Sequence, residues 1–379
     1  MVKSCSLISL TYKMSNKKTV THILYSGLGG HGSVFFSLVK ADTTNKFNTT
    51  AIFCGIEEVR KDYIDQCHAL NVPFTAIRKK RGLDLRVYLS IFNALRKARP
   101  DVIVLHGSVF ILPARLYRIG RRTKIIVRDT QAHHLKNERD WKWFRLTVKL
   151  ADKLIFLTRE SKDGAVEKGD RTVIEQKAVV IPNGLDTAKF KTGPRPEPTQ
   201  QWIIGMQSRL QLIKDHPTLL KAFALLQQEL PQYQLRLRIA GDGDTMNDLV
   251  KLAAGLGISA DVEFCGMLDE QALITFMHSL DLYAHASLGE TMSNSIMQAM
   301  ACGLPIVASD VWGINNMVDG QNGLLYKSGD AADLCAKLKL LITDPAKRKA
   351  FAQAADAYAE RELSFKRLFR DYEKIYGTD

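Results

Sequence analysis

Apolar residues recur along this chain in two rhythms. Short runs rich in β-branched residues, THILYS (21–26), TTAIFCG (49–55), DVIVLHG (101–107), KIIVRD (124–129), KLIFLT (153–158) and AVVIPNG (178–184), alternate with longer amphipathic stretches. Short apolar runs bounded by turn residues read as buried strands, and their alternation with helical segments is the pattern of βαβ units in a parallel sheet. The rhythm breaks at KTGPRPEPTQQ (191–201), where three prolines fall within five residues. It restarts with WIIGMQSRL (202–210), QLRLRIAGDG (234–243), DVEFCGM (261–267), DLYAHAS (281–287), LPIVASD (304–310) and NGLLYK (322–327). The proline segment therefore reads as a linker. The pattern predicts two successive parallel α/β domains, residues 1–190 and 200–363. Residues 1–13 read either as an extension upstream of a second start at Met14 or as part of the first domain. The end of the chain, FKRLFRDYEKIYGTD, is helical in pattern, with aromatic residues at 365, 369, 372 and 376 on one face.

Ligands of parallel α/β sheets sit beyond the carboxyl ends of the strands, so two such domains predict a site in the cleft between them. At 379 residues, 46% hydrophobic and 25% charged, the composition is that of a globular protein too long for a single core. Six cysteines lack the spacing of a zinc site or a disulfide framework, and no apolar run approaches the roughly 18 residues of a membrane span. The first residues lack the apolar core of a signal peptide, and the chain is expected to be cytoplasmic. Charge alters this picture. Residues 1–180 hold 33 Lys and Arg against 16 Asp and Glu, a net of +17, whereas residues 181–379 hold 20 against 24, a net of −4. The asymmetry points to an anionic partner for the first half: nucleic acid, phospholipid or a phosphorylated substrate. No usual nucleic-acid recognition signature accompanies it.

Candidate chemistry begins at GLGGHG, where Gly27, Gly29 and Gly32 satisfy the dinucleotide pattern G-x-G-x-x-G. That fold wants an acid closing the second strand, but the strand ends at Cys54-Gly55 and Glu57 and Glu58 follow only after the turn. The NAD reading is weakened accordingly. In the second half, Arg209 and Lys214 follow a strand, where two cations suit a diphosphate. RIAGDGD (238–244) is a second glycine turn, and Glu290 precedes the polar stretch Ser293-Asn294-Ser295 that opens a helix containing Gln298. Backbone N–H groups at such a helix start add to an anion site.

Taken in order, GLGGHGSV, IPNGLDTAKF, the R-L-x-x-x-K element, AGDGD, FCGM and GETMSNSIMQAMACGLPIVASD identify a resemblance. From about residue 20 onward the chain is similar to retaining glycosyltransferases of family 4 (glycosyl transferases group 1), whose GT-B fold sets two Rossmann-like domains facing each other across a cleft. The resemblance implies a nucleotide-sugar co-substrate, most simply a UDP-sugar, with no cofactor and no metal. It implies that Glu290 contacts the donor sugar, that Arg209 and Lys214 neutralise the leaving β-phosphate, and that Gly29 and Gly30 face the donor phosphates. Gly266 and Met267 match the turn that reads the base, and Gly241, Met292, Ser293, Asn294 and Ser295 complete the donor side. Gln298 stands where the family usually has a second glutamate on the ribose hydroxyls, and an amide both donates to and accepts from hydroxyls. The family often presents a histidine near the transferred sugar; the candidates here are His106 and Asp129. The C-terminal helix (about 364–379) is expected to cross back to the first domain.

The segment RDWKWFRLTVKLADK sets Lys142, Arg145 and Lys149 in a basic stripe between two apolar sides that include Trp141, Trp143 and Phe144. This reads either as a membrane-facing helix on an anionic surface or as a core helix with one solvated face. RKKRG (78–82) adds positive charge to the same half. The expected acceptor is a growing glycan or glycolipid on a membrane carrier, such as lipopolysaccharide, O-antigen or capsule, met at the inner face of the cytoplasmic membrane. The competing classes are an NAD-dependent oxidoreductase and, because of Gln298, a catalytically silent nucleotide-binding protein.

Overall fold

Each short apolar run becomes a strand, because a parallel sheet covered by helices on both faces rewards continuous burial. A computed structural model of the chain describes residues 17–377 except 28–29, 81–83, 132–135, 194–197 and 199. Gly29, His133 and His134, part of RKKRG and residues 1–13 lie outside the described residues. The first sheet contains β1 (Thr19–Leu24), β2 (Asn48–Gly55), β3 (Phe74–Arg78), β4 (Val102–Leu105), β5 (Lys124–Asp129), β6 (Lys153–Phe156) and β7 (Ala178–Val180). The second contains β8 (Gln201–Gln207), β9 (Gln234–Ala240), β10 (Val262–Gly266), β11 (Leu282–His285), β12 (Ile306–Asp310) and β13 (Leu324–Lys327).

The strand orders are β3-β2-β1-β4-β5-β6-β7 and β10-β9-β8-β11-β12-β13, with parallel pairing throughout both sheets. Each is the doubly wound order, and each reverses direction beside its first strand, between β1 and β4 and between β8 and β11. Those switch points open a crevice at the strands' carboxyl ends.

The helix Phe365–Tyr376 lies on the first domain. Leu368, Tyr372, Ile375 and Tyr376 are buried with Val20, Val104, Ile126 and Ile155, and Phe369 packs against the same cluster. Phe365 packs on a cluster of the second domain, so the aromatic face of this helix spans both. Just before it, Ser364 forms a parallel bridge with Leu185.

The helix Glu138–Leu150 resolves one of the alternatives above. An Asn137 capping box starts it, and Trp141, Phe144 and Val148 are buried in the core of the first domain. Trp143, Leu146 and Leu150 pack against that same core, while Lys142, Arg145 and Lys149 are exposed. The core-helix alternative is the one the structure takes: apolar residues on both sides of the stripe turn inward and the basic residues face out, because a helix packed on a sheet buries more than one row of side chains.

Candidate active site

The crevice between the domains holds a cavity of about 380 Å³. The first domain lines it with His31, Arg128, Thr130, Leu157 and Asn183, and the second with Gln207, Ser208, Arg209, Lys214 and residues 290–295. A larger cavity, about 720 Å³, opens beside Thr19, Asn48 and Phe74, at the amino ends of strands. That is the wrong end of a doubly wound sheet for its ligand chemistry.

Glu290 sits in the loop after β11. Its backbone N–H donates to Trp312 O at 3.2 Å, and Gly313 closes over it with φ of +84°. A Cβ at Gly313 would lie 2.3 Å from the Glu290 carbonyl oxygen, so this buttress requires glycine. The Glu290 carboxylate pairs with the Lys214 ammonium and lies 3.1 Å from His285 Nε2. Burial pushes this carboxyl up, but the His285 hydrogen bond and the Lys214 charge outweigh it and hold Glu290 well below the ordinary carboxylate range. His285 is fully buried, and burial pulls its imidazole down, so at neutral pH it is an uncharged donor to an ionised Glu290.

Arg209 is exposed at the cavity wall and has no ion pair among the described residues. Lys214, by contrast, is held by Glu290. Ser293 caps the helix Asn294–Ala301 by accepting from Ile296 N at 3.4 Å, which turns the start of that helix, Asn294 and Ser295, toward the cavity. The positive helix end, Arg209 and Lys214 thus line one wall of the cavity beside a single carboxylate. Behind it, Gly241 has φ of +136°, and a Cβ there would meet Ser208 O at 1.8 Å. Its N–H donates to Gly266 O at 2.8 Å, joining the two glycine turns behind Ser208 and Arg209. Met267, just beyond, is 67% exposed, and Gly30 begins the helix Gly30–Ala41.

Three expected residues lie elsewhere. Gln298 lines a separate cavity of about 170 Å³, with Ser33, Lys40 and Asp186. It shares a helix face with Asn294 and Met297, and that face meets the first domain away from Glu290. Asp129 is buried and paired with Lys136. It alternates along the chain with Arg128 and Thr130, so the two neighbours reach the cavity and Asp129 does not. His106 lies one layer behind the wall, its ring 5.7 Å from that of His31.

That layer contains residues that sequence reasoning missed. Arg128, 1% exposed, donates to His106 Nδ1 at 3.1 Å and to Asn183 Oδ1 at 2.6 Å. A guanidinium only donates, so His106 carries its proton on Nε2, 3.0 Å from His22 Nδ1. His22 in turn points Nε2–H at Tyr376 Oη, 3.1 Å away on the C-terminal helix. Burial first, and then the Arg128 charge, push these imidazoles down, His22 to about 3 and His31 to about 4. No carboxylate pairs with Arg128 among the described residues, and its Nε has no hydrogen-bond partner. Asn183 ties the wall to the second domain: its N–H donates to Met292 Sδ at 3.2 Å, and Arg367 donates to its carbonyl at 2.8 Å. The one signal for Arg128 was a cation inside an apolar strand, and for His285 a histidine at a strand end five residues before Glu290.

Two Rossmann-like domains facing a cleft of this kind define the GT-B class of architecture. Residues 28–189 match the family model described as Glycosyltransferase Family 4, and residues 189–358 match that of Glycosyl transferases group 1. HepE of Anabaena, solved in complex with UDP and glucose, superposes with a TM-score of 0.80 at 18% identity, covering 96% of this chain and 100% of its own. A glycosyltransferase of Rickettsia africae gives 0.81, also at 18%, covering 96% and 98%. In sequence, a D-inositol 3-phosphate glycosyltransferase of Corynebacterium jeikeium is 31% identical over 59% of this chain and 58% of its own length. A Methanocaldococcus jannaschii glycosyltransferase is 26% identical over 61% and 60%. The matched part of this chain thus spans about 58–60% of the length of these curated relatives. The chain belongs to glycosyltransferase family 4.

Proposed function

We propose that this protein transfers a sugar from a nucleotide-sugar donor, a UDP-sugar, to a growing membrane-linked glycan, with retention of anomeric configuration and without a metal. The observation that carries the reading is the ionised Glu290 set beside Lys214, with Arg209 on the same cavity wall. Breaking the bond from the anomeric carbon to the β-phosphate oxygen leaves negative charge on that oxygen, which two cations and a helix start stabilise. The acceptor hydroxyl attacks from the face the phosphate leaves, and its proton passes to the departing phosphate oxygen. Glu290, an acceptor only, takes hydrogen bonds from donor-sugar hydroxyls and holds the sugar in register. A UDP donor agrees with HepE, which was solved with UDP and glucose, and a glycan acceptor agrees with the lipopolysaccharide outer core galactosyltransferase WaaB, which superposes with a TM-score of 0.74.

Incubation with a panel of UDP-, GDP-, ADP- and CMP-sugars tests the reading. Slow hydrolysis of a UDP-sugar, unchanged by EDTA, is the expected result. NADH binding with no sugar nucleotide bound or turned over overturns it. An EDTA-sensitive rate overturns the metal-free part alone.

A further inference from the structure

Of the charged residues that line the cleft cavity, Arg209, Lys214 and Glu290 have tasks in the transfer and Arg128 has none. Its burial makes this costly. The side chain is 1% exposed, no ion pair holds it among the described residues, and its Nε has no hydrogen-bond partner. A buried cation without a counter-charge loses its hydration with nothing in return, and a neutral side chain of similar size would pack at lower cost. The groups around it are neutral as well. His106 and Asn183 accept its hydrogen bonds, at 3.1 and 2.6 Å, and the buried rings of His22, His31 and Tyr372 all feel its charge.

The contacts of Arg128 lead to two helix starts, one from each domain. Asn183 reaches the second-domain helix Asn294–Ala301: its side-chain N–H donates to Asn294 Oδ1 at 3.5 Å. The His106 ring lies 5.7 Å from that of His31, in the first turn of the first-domain helix Gly30–Ala41. Neither helix has an acidic residue in its first turn, so both present positive ends. The donor's diphosphate is a dianion. On the second domain's wall Lys214 and Glu290 neutralise each other, which leaves Arg209 as the net charge there. One more cation is needed for balance, and Arg128 stands on the facing wall. Uncharged sugar hydroxyls would not offset the burial of a full charge; an oxyanion does.

We propose that Arg128 is a further catalytic residue of this site, donating hydrogen bonds from the first domain to an oxygen of the donor's β-phosphate. The role rests on the transfer reading of the cleft. In that transfer the bond from the anomeric carbon to the β-phosphate oxygen breaks and its electron pair stays on the oxygen. The acceptor oxygen bonds to the carbon, and its proton passes to the departing phosphate. Arg128 exchanges no proton: a guanidinium stays charged throughout and stabilises the developing charge by donation alone. His106 and Asn183, which hold the guanidinium, are positioning residues, and through His106 and His22 the C-terminal helix is joined to the reacting end of the donor. Since Arg209 and Lys214 act from the second domain and Arg128 from the first, full neutralisation of the leaving group requires both walls of the cleft.

Titration of the full chain with UMP and with UDP, beside UDP-sugar hydrolysis, tests the role. Arg128→Gln is expected to bind UDP about tenfold more weakly with UMP affinity unchanged, and to hydrolyse the UDP-sugar about 100-fold more slowly. Without ligand it is expected to melt at or above the parent's temperature, because an unpaired buried charge has been removed; loss of a purely structural arginine lowers it. In the unaltered chain His31, held down to about 4 by burial and then by the Arg128 charge, is expected to titrate higher by NMR with UDP bound and not with UMP. A parent-like rate and UDP affinity in Arg128→Gln, equal weakening of UMP and UDP, a melting temperature well below the parent's, or an unmoved His31 each overturns the proposal. A parent that binds no UDP and hydrolyses no UDP-sugar overturns the transfer reading and the role of Arg128 with it. A parent that does both, matched by Arg128→Gln, overturns the role alone.

Discussion

Glu290 owes its ionised state to two neighbours of different kinds, a cation that attracts and a buried neutral imidazole that donates. Changing it to Gln keeps the shape but leaves Lys214 without its counter-charge. Glu290→Gln and Arg209→Ala are each expected to lower kcat by about 100-fold, or roughly 3 kcal/mol of transition-state stabilisation. Steady-state assays on the preferred sugar nucleotide check this. Arg209→Ala is also expected to leave the melting temperature unchanged, since the side chain is exposed and has no ion pair among the described residues. Three histidines, His31 on the cavity wall, His22 behind it and His216 against Ser208, give a pH signature of their own. Burial, foremost, pushes His22 down to about 3 and His31 and His216 to about 4, from the ordinary value of 6.5. In that window the unfolded chain binds protons that the folded one refuses, so their contribution is complete above pH 6.5 and is lost as pH falls toward 4. Each is expected to withdraw about 2 kcal/mol by pH 5. Denaturant unfolding between pH 7.5 and 4.5 measures this, and a flat profile contradicts neutral burial of these rings.

Among the elements, the helix Phe365–Tyr376 links packing most directly to the site. It supplies the terminal acceptor of the Arg128, His106 and His22 chain, and its Arg367 holds the backbone that presents Asn183 to the cleft. Leu368 is fully buried at its centre, and Gly184 lies directly beneath it. Leu368→Ala is expected to cost about 2–5 kcal/mol, read as a shift in denaturant midpoint, because the crowded surroundings cannot collapse into the space. Helix Asn294–Ala301 works by position instead. Its capped start reaches the Glu290 cavity, whereas Gln298, one turn on, lines the neighbouring cavity, and Asn294 borders both. That placement argues for testing Gln298→Glu: a rate within about twofold of the parent is expected from a side chain outside the Glu290 cavity, and a much larger change places it in the donor site.

At the scale of the molecule, the chain leaves the first domain, completes the second and returns to cover the first. Val20, Val104 and Ile126 are buried in the cluster to which Leu368 and Tyr372 belong. A chain ending at Leu363 therefore exposes an apolar surface on the first domain. It is expected to aggregate, or to melt well below the parent, when followed by size-exclusion chromatography and calorimetry, and adding the excised peptide in trans is expected to restore part of the loss. Charge is divided at the same scale. The excess of positive residues belongs to the first half, and it extends into the cleft through Arg128.

Periodicity and order along the chain were enough to identify two parallel α/β domains and a linker, because burial on both faces of a parallel strand writes itself as a continuous apolar run. Arg209, Lys214 and Glu290 were legible for a related reason: each follows a strand at the end where such sheets keep their chemistry. Other features depended on which elements meet. Arg128 and Asp129 are adjacent in sequence, yet only the strand's alternation and the sheet's place in the molecule decide that the arginine reaches the cavity. Trp141 and Phe144 read equally as a membrane-facing side or as core until the sheet beneath them decided for core. A sequence specifies which faces of its elements are apolar. Which face is covered, and by what, is decided by packing between residues far apart along the chain.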